Sequence, residues 1–298
     1  MSAEIRPAMG WKQVLVLANS EVELLITLDV GPRIISYRRH GGLNVFKTFD
    51  DQLGKSGEAD WQIRGGHRLW VAPETTSSYF PDNQPVSFTI MGENHVCLRT
   101  PAEAESGIEK EIEIILDETT SSVALNHSII AARTMSSGIA PWGLTVFKPG
   151  GKAVIPMPRR SLHPNDLPPT EKDASRNADL DLLPNRNISL WAYTELRDPR
   201  FNWCEDRLEI SQDANKPSTK LGFLHKMQTA HYEVDGYRFS KTIDYLQDAT
   251  YPDGNCNLEI FTDGAMLELE SLGPLVTLNK GERIVHTENW SLNRIGES

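Results

Sequence analysis

The chain has 298 residues, enough for one large domain or two ordinary ones with a sizeable core. Hydrophobic residues at 39% and charged residues at 24% are ordinary for a globular protein and exclude a disordered chain. A net charge of −11 with a pI near 5.2 excludes a nucleic-acid partner, because a duplex-binding face needs clustered Lys and Arg; it favours a neutral or cationic ligand over an anionic one.

The opening MSAEIRPAMGWKQ has no apolar run after a basic start, and no stretch approaches the span of a membrane helix. No membrane partner is expected, and the chain as given reads as cytoplasmic. Period-2 patterns then dominate. Val22 to Leu28 leads through Gly31-Pro32 into Arg33-Ile34-Ile35-Ser36-Tyr37, which predicts a first hairpin. Ile108 to Leu116 alternates Glu109, Glu111 and Glu113 with aliphatic residues, so one face is solvated. Further strands are predicted at Val123–Ile130, Leu144–Phe147, Ala153–Met157, Ile188–Tyr193, Leu208–Ser211 and Leu221–Leu224. The series continues at Tyr237–Ile243, Leu258–Phe261, Met266–Glu270 and Arg283–Leu292. Lys148-Pro149-Gly150-Gly151, Val234-Asp235-Gly236, Pro252-Asp253-Gly254 and Thr262-Asp263-Gly264 supply turn chemistry between them. No long window carries a helical apolar stripe, so the fold class is all-β.

The one composition shift is Pro156–Asn187, rich in Pro, Asn, Asp and charge. It reads as a domain linker or as an excursion between sheets. Strands of similar character flank it, which favours one domain over 1–298 with a long excursion. Cys97, Cys204 and Cys256 are odd in number and widely spaced, without CxxC or Cys/His metal spacing, and read as free thiols. No phosphate-binding loop, dinucleotide fingerprint, nucleophile elbow or HExxH pattern occurs, so nucleotide, dinucleotide, hydrolase-elbow and zincin chemistry have no support; scattered His and Glu can still converge in space, but nothing in their spacing asks for a metal.

The densest candidate is Ile63-Arg64-Gly65-Gly66-His67-Arg68-Leu69-Trp70-Val71-Ala72-Pro73-Glu74. Arg64, Arg68, Trp70 and Glu74 are the tools of sugar recognition, an aromatic face with charged partners for hydroxyls. A tight turn with a structural Arg68–Glu74 pair and a core Trp70 fits the same residues. Asn126-His127 closes an alternating run and is followed by Ala140-Pro141-Trp142; a lone strand histidine is ordinarily structural. Glu268 and Glu270 share one strand face, about 7 Å apart, with Leu267 and Leu269 on the other. Two carboxylates that close should not ionise independently unless Arg64, Arg68 or Lys220 neutralises one. Lys220 opens a strand, and His286, Glu288 and Trp290 share a face of the last strand, where structural roles are the ordinary expectation.

Taken together, the Gly-Pro-Arg-Ile hairpin, the Gly65-to-Trp70 block, Ala140-Pro141-Trp142 and Lys148-Pro149-Gly150-Gly151 form a pattern. It is completed by Tyr251-Pro252-Asp253-Gly254, Leu267 to Leu275 and His286-Thr287-Glu288-Asn289-Trp290. The set resembles a bacterial family of domains of unknown function in the galactose mutarotase-like superfamily, over about Glu21 to Leu292. The resemblance implies a β-supersandwich of antiparallel strands with a sugar bound in a concave groove. It implies a cofactor-free aldose 1-epimerase mechanism, in which a histidine acid acts on the ring oxygen and a glutamate base on the anomeric hydroxyl. By that resemblance His127, preceded by Asn126, is the acid, His67 falls near a sugar-binding histidine, and Glu268 or Glu270 is the base. Trp70 and Trp142 are expected to line the groove. Two departures stand out. Ser128-Ile129-Ile130 replaces the aromatic run after Asn-His, and Leu267-Glu268-Leu269-Glu270 replaces a Thr-Glu context. Arg38-Arg39-His40-Gly41-Gly42 imitates an epimerase motif from within the first hairpin. The alternatives to an isomerase are a non-catalytic sugar-binding protein and an accessory domain of a lyase or hydrolase.

Overall fold

The computed structural model describes residues 3–168 and 182–296. The part of the expected excursion that falls on 169–181 lies outside them. The first half of the chain supplies β1 (Glu4–Ala8), β2 (Trp11–Ala18), β3 (Val22–Thr27), β4 (Arg33–Arg39), β5 (Gly66–Ala72), β6 (Ser87–Gly92), β7 (His95–Arg99), β8 (Ile108–Leu116), β9 (Val123–Ala131), β10 (Ala140–Phe147) and β11 (Lys152–Pro156). After the excursion come β12 (Ile188–Leu190), β13 (Phe201–Trp203), β14 (Arg207–Ser211), β15 (Thr219–Phe223), β16 (Thr229–Val234), β17 (Tyr237–Ile243), β18 (Leu258–Thr262), β19 (Leu267–Leu272) and β20 (Arg283–Arg294).

They form two ten-stranded antiparallel sheets. The first runs β1-β2-β3-β4-β5-β10-β19-β18-β15-β12, and the second β13-β14-β11-β16-β17-β20-β9-β8-β7-β6. Both mix strands from either side of 156–187, which the pairing of β10 with β19 and of β9 with β20 shows directly. Alternation builds the core between them. On β8 Ile108, Ile112, Ile114 and Leu116 are buried, and join Leu24, Ile34, Leu269, Phe239 and Trp290 in one apolar cluster. Outward, Glu109, Glu111 and Glu113 meet Arg99, Arg283 and His95. Burying such a strand's aliphatic side chains contributes roughly 1.5–3 kcal/mol each before conformational entropy is counted. Among the described residues no helix is long and apolar enough to cross a membrane. The three cysteines are free.

The hairpin predicted first is β3–β4, preceded by the two strands β1 and β2. The Gly65-Gly66 block is the entry to a strand rather than a tight turn. Both glycines hold positive φ (87° and 71°), and a Cβ on Gly65 would stand 2.0 Å from the Lys47 carbonyl oxygen. No other residue fits so close a passage. The strand that follows sends alternate side chains to opposite faces of the first sheet, which fixes where His67 and Arg68 point.

Proteolytic cleavage within 156–187 is expected to leave a nicked protein whose two pieces co-elute, since neither piece carries a whole sheet. Two folded halves separating on size exclusion would defeat the single-domain expectation.

Candidate functional site

The register across the centre of the first sheet sorts the predicted residues into two sets. Arg68 lies opposite Leu144, and Trp70 opposite Trp142. Leu144 in turn faces Glu270, and Val146 faces Glu268. Lys220 reaches the same face through Phe261, which lies opposite Glu268. Directly opposed residues share a face, so Arg68, Trp70, Trp142, Glu268, Glu270 and Lys220 all point outward, away from the second sheet. His67, opposite Thr145, points inward.

The outward set lines a pocket of about 280 Å³ together with Trp61, Ile63, Glu74, Tyr79, Leu144, Tyr193, Phe261 and Met266. Arg68 places both terminal nitrogens 3.2 Å from Glu268 Oε1, with its guanidinium 4.6 Å above the Trp70 ring and 5.4 Å above Trp61. Lys220 Nζ lies 2.9 Å from Glu270 Oε2 and 2.7 Å from Glu259 Oε2, between the rings of Trp142 (4.7 Å) and Trp191 (4.9 Å). The Trp142 indole donates to Glu270 Oε2 at 2.9 Å. Trp70 and Trp142 therefore form a buried floor with a cation over each. Tyr79 and Tyr193 are the exposed aromatic walls, and Trp61 is half-buried beside them. Burial raises the Glu270 and Glu259 carboxyls, and a single Lys220 ammonium opposes this for both. Among the described residues, Glu270 Oε1, Arg68 Nε and Trp61 Nε1 are buried without a hydrogen-bond partner.

A loop brings Trp61 and Ile63 to this pocket, and buried arginines hold that loop. Arg64 donates to the Gln52 and Lys55 carbonyls, to Glu58 at 2.6 Å and to Asn83 Oδ1 at 2.8 Å. Arg33, from the Gly-Pro-Arg-Ile hairpin, donates to the Ile63 and Gln62 carbonyls at 2.7 and 3.0 Å. Arg64 is thus corrected from a ligand-binding residue to a loop staple; its neighbour glycines turn it away from the face that Arg68 takes. The alternative Arg68–Glu74 pair does not form either: Glu74 stands exposed at the rim and accepts from the Tyr79 hydroxyl at 2.6 Å.

The inward set is a closed polar network between the sheets. His67 and His127 meet Nε2 to Nε2 at 2.7 Å, and His127 Nδ1 lies 3.1 Å from the His286 carbonyl. A carbonyl only accepts, so the network assigns the proton to His127 Nδ1 and leaves its Nε2 to accept from His67. His67 Nδ1 then accepts from the Thr145 hydroxyl at 2.9 Å. Ser271 Oγ joins His286 Nε2 at 2.7 Å and donates to Glu288. Glu288 also receives Lys241 Nζ at 3.0 Å and the Trp290 indole at 2.6 Å. Burial holds His67 well below the ordinary imidazole range, lowers His127, and pushes His286 down to about 3. Burial alone would raise Glu288, but Lys241 overrides it and keeps the carboxyl below its usual range.

The first sheet therefore separates the two histidines from Glu268 and Glu270. A His127 or His67 acid and a Glu268 or Glu270 base do not face one sugar; that pairing is corrected, because β5 and β19 each turn adjacent residues to opposite sides. Asn126, expected beside His127 as a substrate-binding residue, does not reach the pocket either. One residue from His127 on β9, it turns to the outer face of the second sheet, where it donates to Glu113 at 2.8 Å. The residues that complete the inner network, Glu288, Lys241, His286 and Ser271, were legible only as the shared face of His286, Glu288 and Trp290.

His67, His127 and Glu288 each present a ligand atom, all within 4.8 Å of one another. Two nitrogens on one tetrahedral zinc sit about 3.3 Å apart, wider than the 2.7 Å contact here. Glu288 is already neutralised by Lys241, so these donors fit a hydrogen-bonded network better than a metal cage.

The two antiparallel sheets match the fold of galactose mutarotase-like proteins, a β-sandwich. A galactose mutarotase-like protein from Lactobacillus casei superposes with a TM-score of 0.59 at 11% identity, over 94% of this chain and 100% of that one. Another from Clostridium acetobutylicum gives 0.53 at 11%, covering 98% of each chain. Galactose 1-epimerase from Lactobacillus acidophilus gives 0.51 at 12%, again over 98% of each. At these identities the likeness is one of fold. No family model matches the chain, and no curated protein matches it.

Proposed function

We propose that the protein binds a sugar in the pocket on the outer face of its first sheet, as a carbohydrate-binding member of the bacterial family it resembles. The observation that carries this is the convergence of one lining. Aromatic walls, two fixed ion pairs and unpartnered buried donors and an acceptor meet around about 280 Å³, a volume suited to a monosaccharide. Aromatic faces cover the apolar side of a sugar ring. Trp61 Nε1, Arg68 Nε and Glu270 Oε1 are the kind of groups that hydroxyls satisfy. Among the described residues no histidine lines this pocket, so sugar binding without the histidine-dependent anomer exchange is the better supported reading.

Titrating the protein with neutral and acidic monosaccharides should change its tryptophan fluorescence, because Trp61, Trp70 and Trp142 all border the pocket. Glu268→Gln, which weakens the Arg68 pair, should lower affinity about tenfold, the worth of one charge-assisted hydrogen bond. Its melting curve is taken alongside to separate lost binding from lost folding. Anomer exchange of freshly dissolved α-sugar, followed by polarimetry, should stay at the spontaneous rate. No response to any sugar would count against the groove, and exchange above the spontaneous rate would restore an isomerase.

A further inference from the structure

We infer that this pocket prefers sugars carrying a protonated amine over neutral or anionic ones, an inference that rests on the carbohydrate reading above. The cations that line it, Arg68 and Lys220, are both engaged: Arg68 with Glu268, and Lys220 with Glu270 and Glu259 at once. Among the described residues Glu74 at the rim makes no ion pair, and it accepts a hydrogen bond from the Tyr79 hydroxyl. Carboxyls thus outnumber cations by four to two in and directly behind the lining.

Among the described residues, two of these carboxyls keep an oxygen without a hydrogen bond. Glu268 gives one oxygen to Arg68, and its Oε2 has no hydrogen bond among the described residues. Glu270 is fully buried at the pocket and its Oε1 is unpartnered. Glu259 lies directly opposite Glu270 on the neighbouring strand, so two carboxyls compete for one ammonium. Burial raises both of them, and the one ammonium they share offsets that only in part. The exposed rings of Tyr79 and Tyr193 add faces that attract cations. A phosphate, sulfate or carboxylate on the sugar would find every lining cation taken and the local field adverse. An ammonium meets the missing positive charge, while the ring hydroxyls keep the contacts of a neutral sugar.

The test is calorimetric titration of the whole chain at pH 7 with glucose, glucosamine, N-acetylglucosamine and glucose 6-phosphate, and with the galactose counterparts. The amine should bind at least tenfold more tightly than its parent sugar. Acetylation, which removes the charge and adds bulk, should erase that gain, and the phosphate should bind more weakly than the parent. The amine-to-parent affinity ratio should fall in Glu74→Gln, an exposed position where folding is not at stake, and in Glu270→Gln. Binding of parent sugars without an advantage for the amine, or tightest binding of the phosphate, overturns this inference and leaves the carbohydrate reading standing. Silence from every sugar defeats the carbohydrate reading itself.

Discussion

Lys241→Met is expected to destabilise the protein by about 3–5 kcal/mol, the largest single-residue effect anticipated for this fold. Lys241 and Glu288 are both completely shielded from solvent, and their 3.0 Å ion pair sits between the sheets. Lys241 also donates to the Leu269 carbonyl at 3.1 Å, so it ties β17 to β19 across the sandwich. Without the ammonium, Glu288 must either keep an uncompensated buried charge or take up a proton, and each costs free energy. Pairing Lys241→Met with Glu288→Gln removes the charge conflict and should recover a substantial part of the loss. Chemical denaturation of the wild type, both single variants and the double variant gives the coupling energy. A loss below about 1 kcal/mol in Lys241→Met, or no recovery in the double variant, would show that the pair is not carrying the sandwich.

Acid should unfold the protein from just below neutrality, and the buried imidazoles give the sign. His286 is pushed down to about 3 and His225 to about 4, both chiefly by burial, and His67 and His127 shift the same way. As pH falls below the ordinary value of 6.5, the unfolded chain takes up these protons and the folded chain does not. Stability is thus full above that value and drains away towards the folded values. At pH 5 His286 and His225 each cost about 2 kcal/mol, and His67 and His127 add losses of the same sign, so together they take a large part of the stability of an ordinary domain. Glu288, held below its usual range, adds a loss of the same sign at lower pH, where its unfolded form protonates first. Thermal melts between pH 7.5 and 4.5 should show a steep fall in Tm below about pH 6.5. A flat Tm from pH 7 to pH 5 would mean that the network admits protons without unfolding, and would sink the closed-core account.

Strands with clean alternation were legible. Ile108–Leu116 and Tyr237–Ile243 have the predicted bounds, and Val123–Ile130 gains one residue. Several others were hidden in polar or glycine-rich sequence. Thr229–Val234 buries Ala230, Tyr232 and Val234 but alternates them with Thr229, His231 and Glu233. Gly66–Ala72 looks like a turn because of its glycines, although these serve a close passage at the strand's entry. The all-β class survives such omissions because each sheet needs only the sum of many short patterns. Glu268 and Glu270 were expected to share a face, and they do, since period 2 is a property of one strand taken alone. His286, Glu288 and Trp290 share theirs for the same reason.

By itself, then, the sequence determined what depends on neighbours along the chain: strand class, turn positions, the common face of each alternating set, and the acidic balance of the surface. It also carried the resemblance that led to the galactose mutarotase-like sandwich. Only the tertiary structure decided which face of each strand looks into the core, because that depends on the partner sheet and on register between segments as distant as Arg68 and Glu268. A shift of one residue in register exchanges inside for outside. That choice puts His67 and His127 in a sealed network with Glu288 and leaves Arg68, Lys220, Glu268 and Glu270 around an open pocket. The histidines and the carboxylates that seemed to belong to one site are divided by the thickness of a β-sheet.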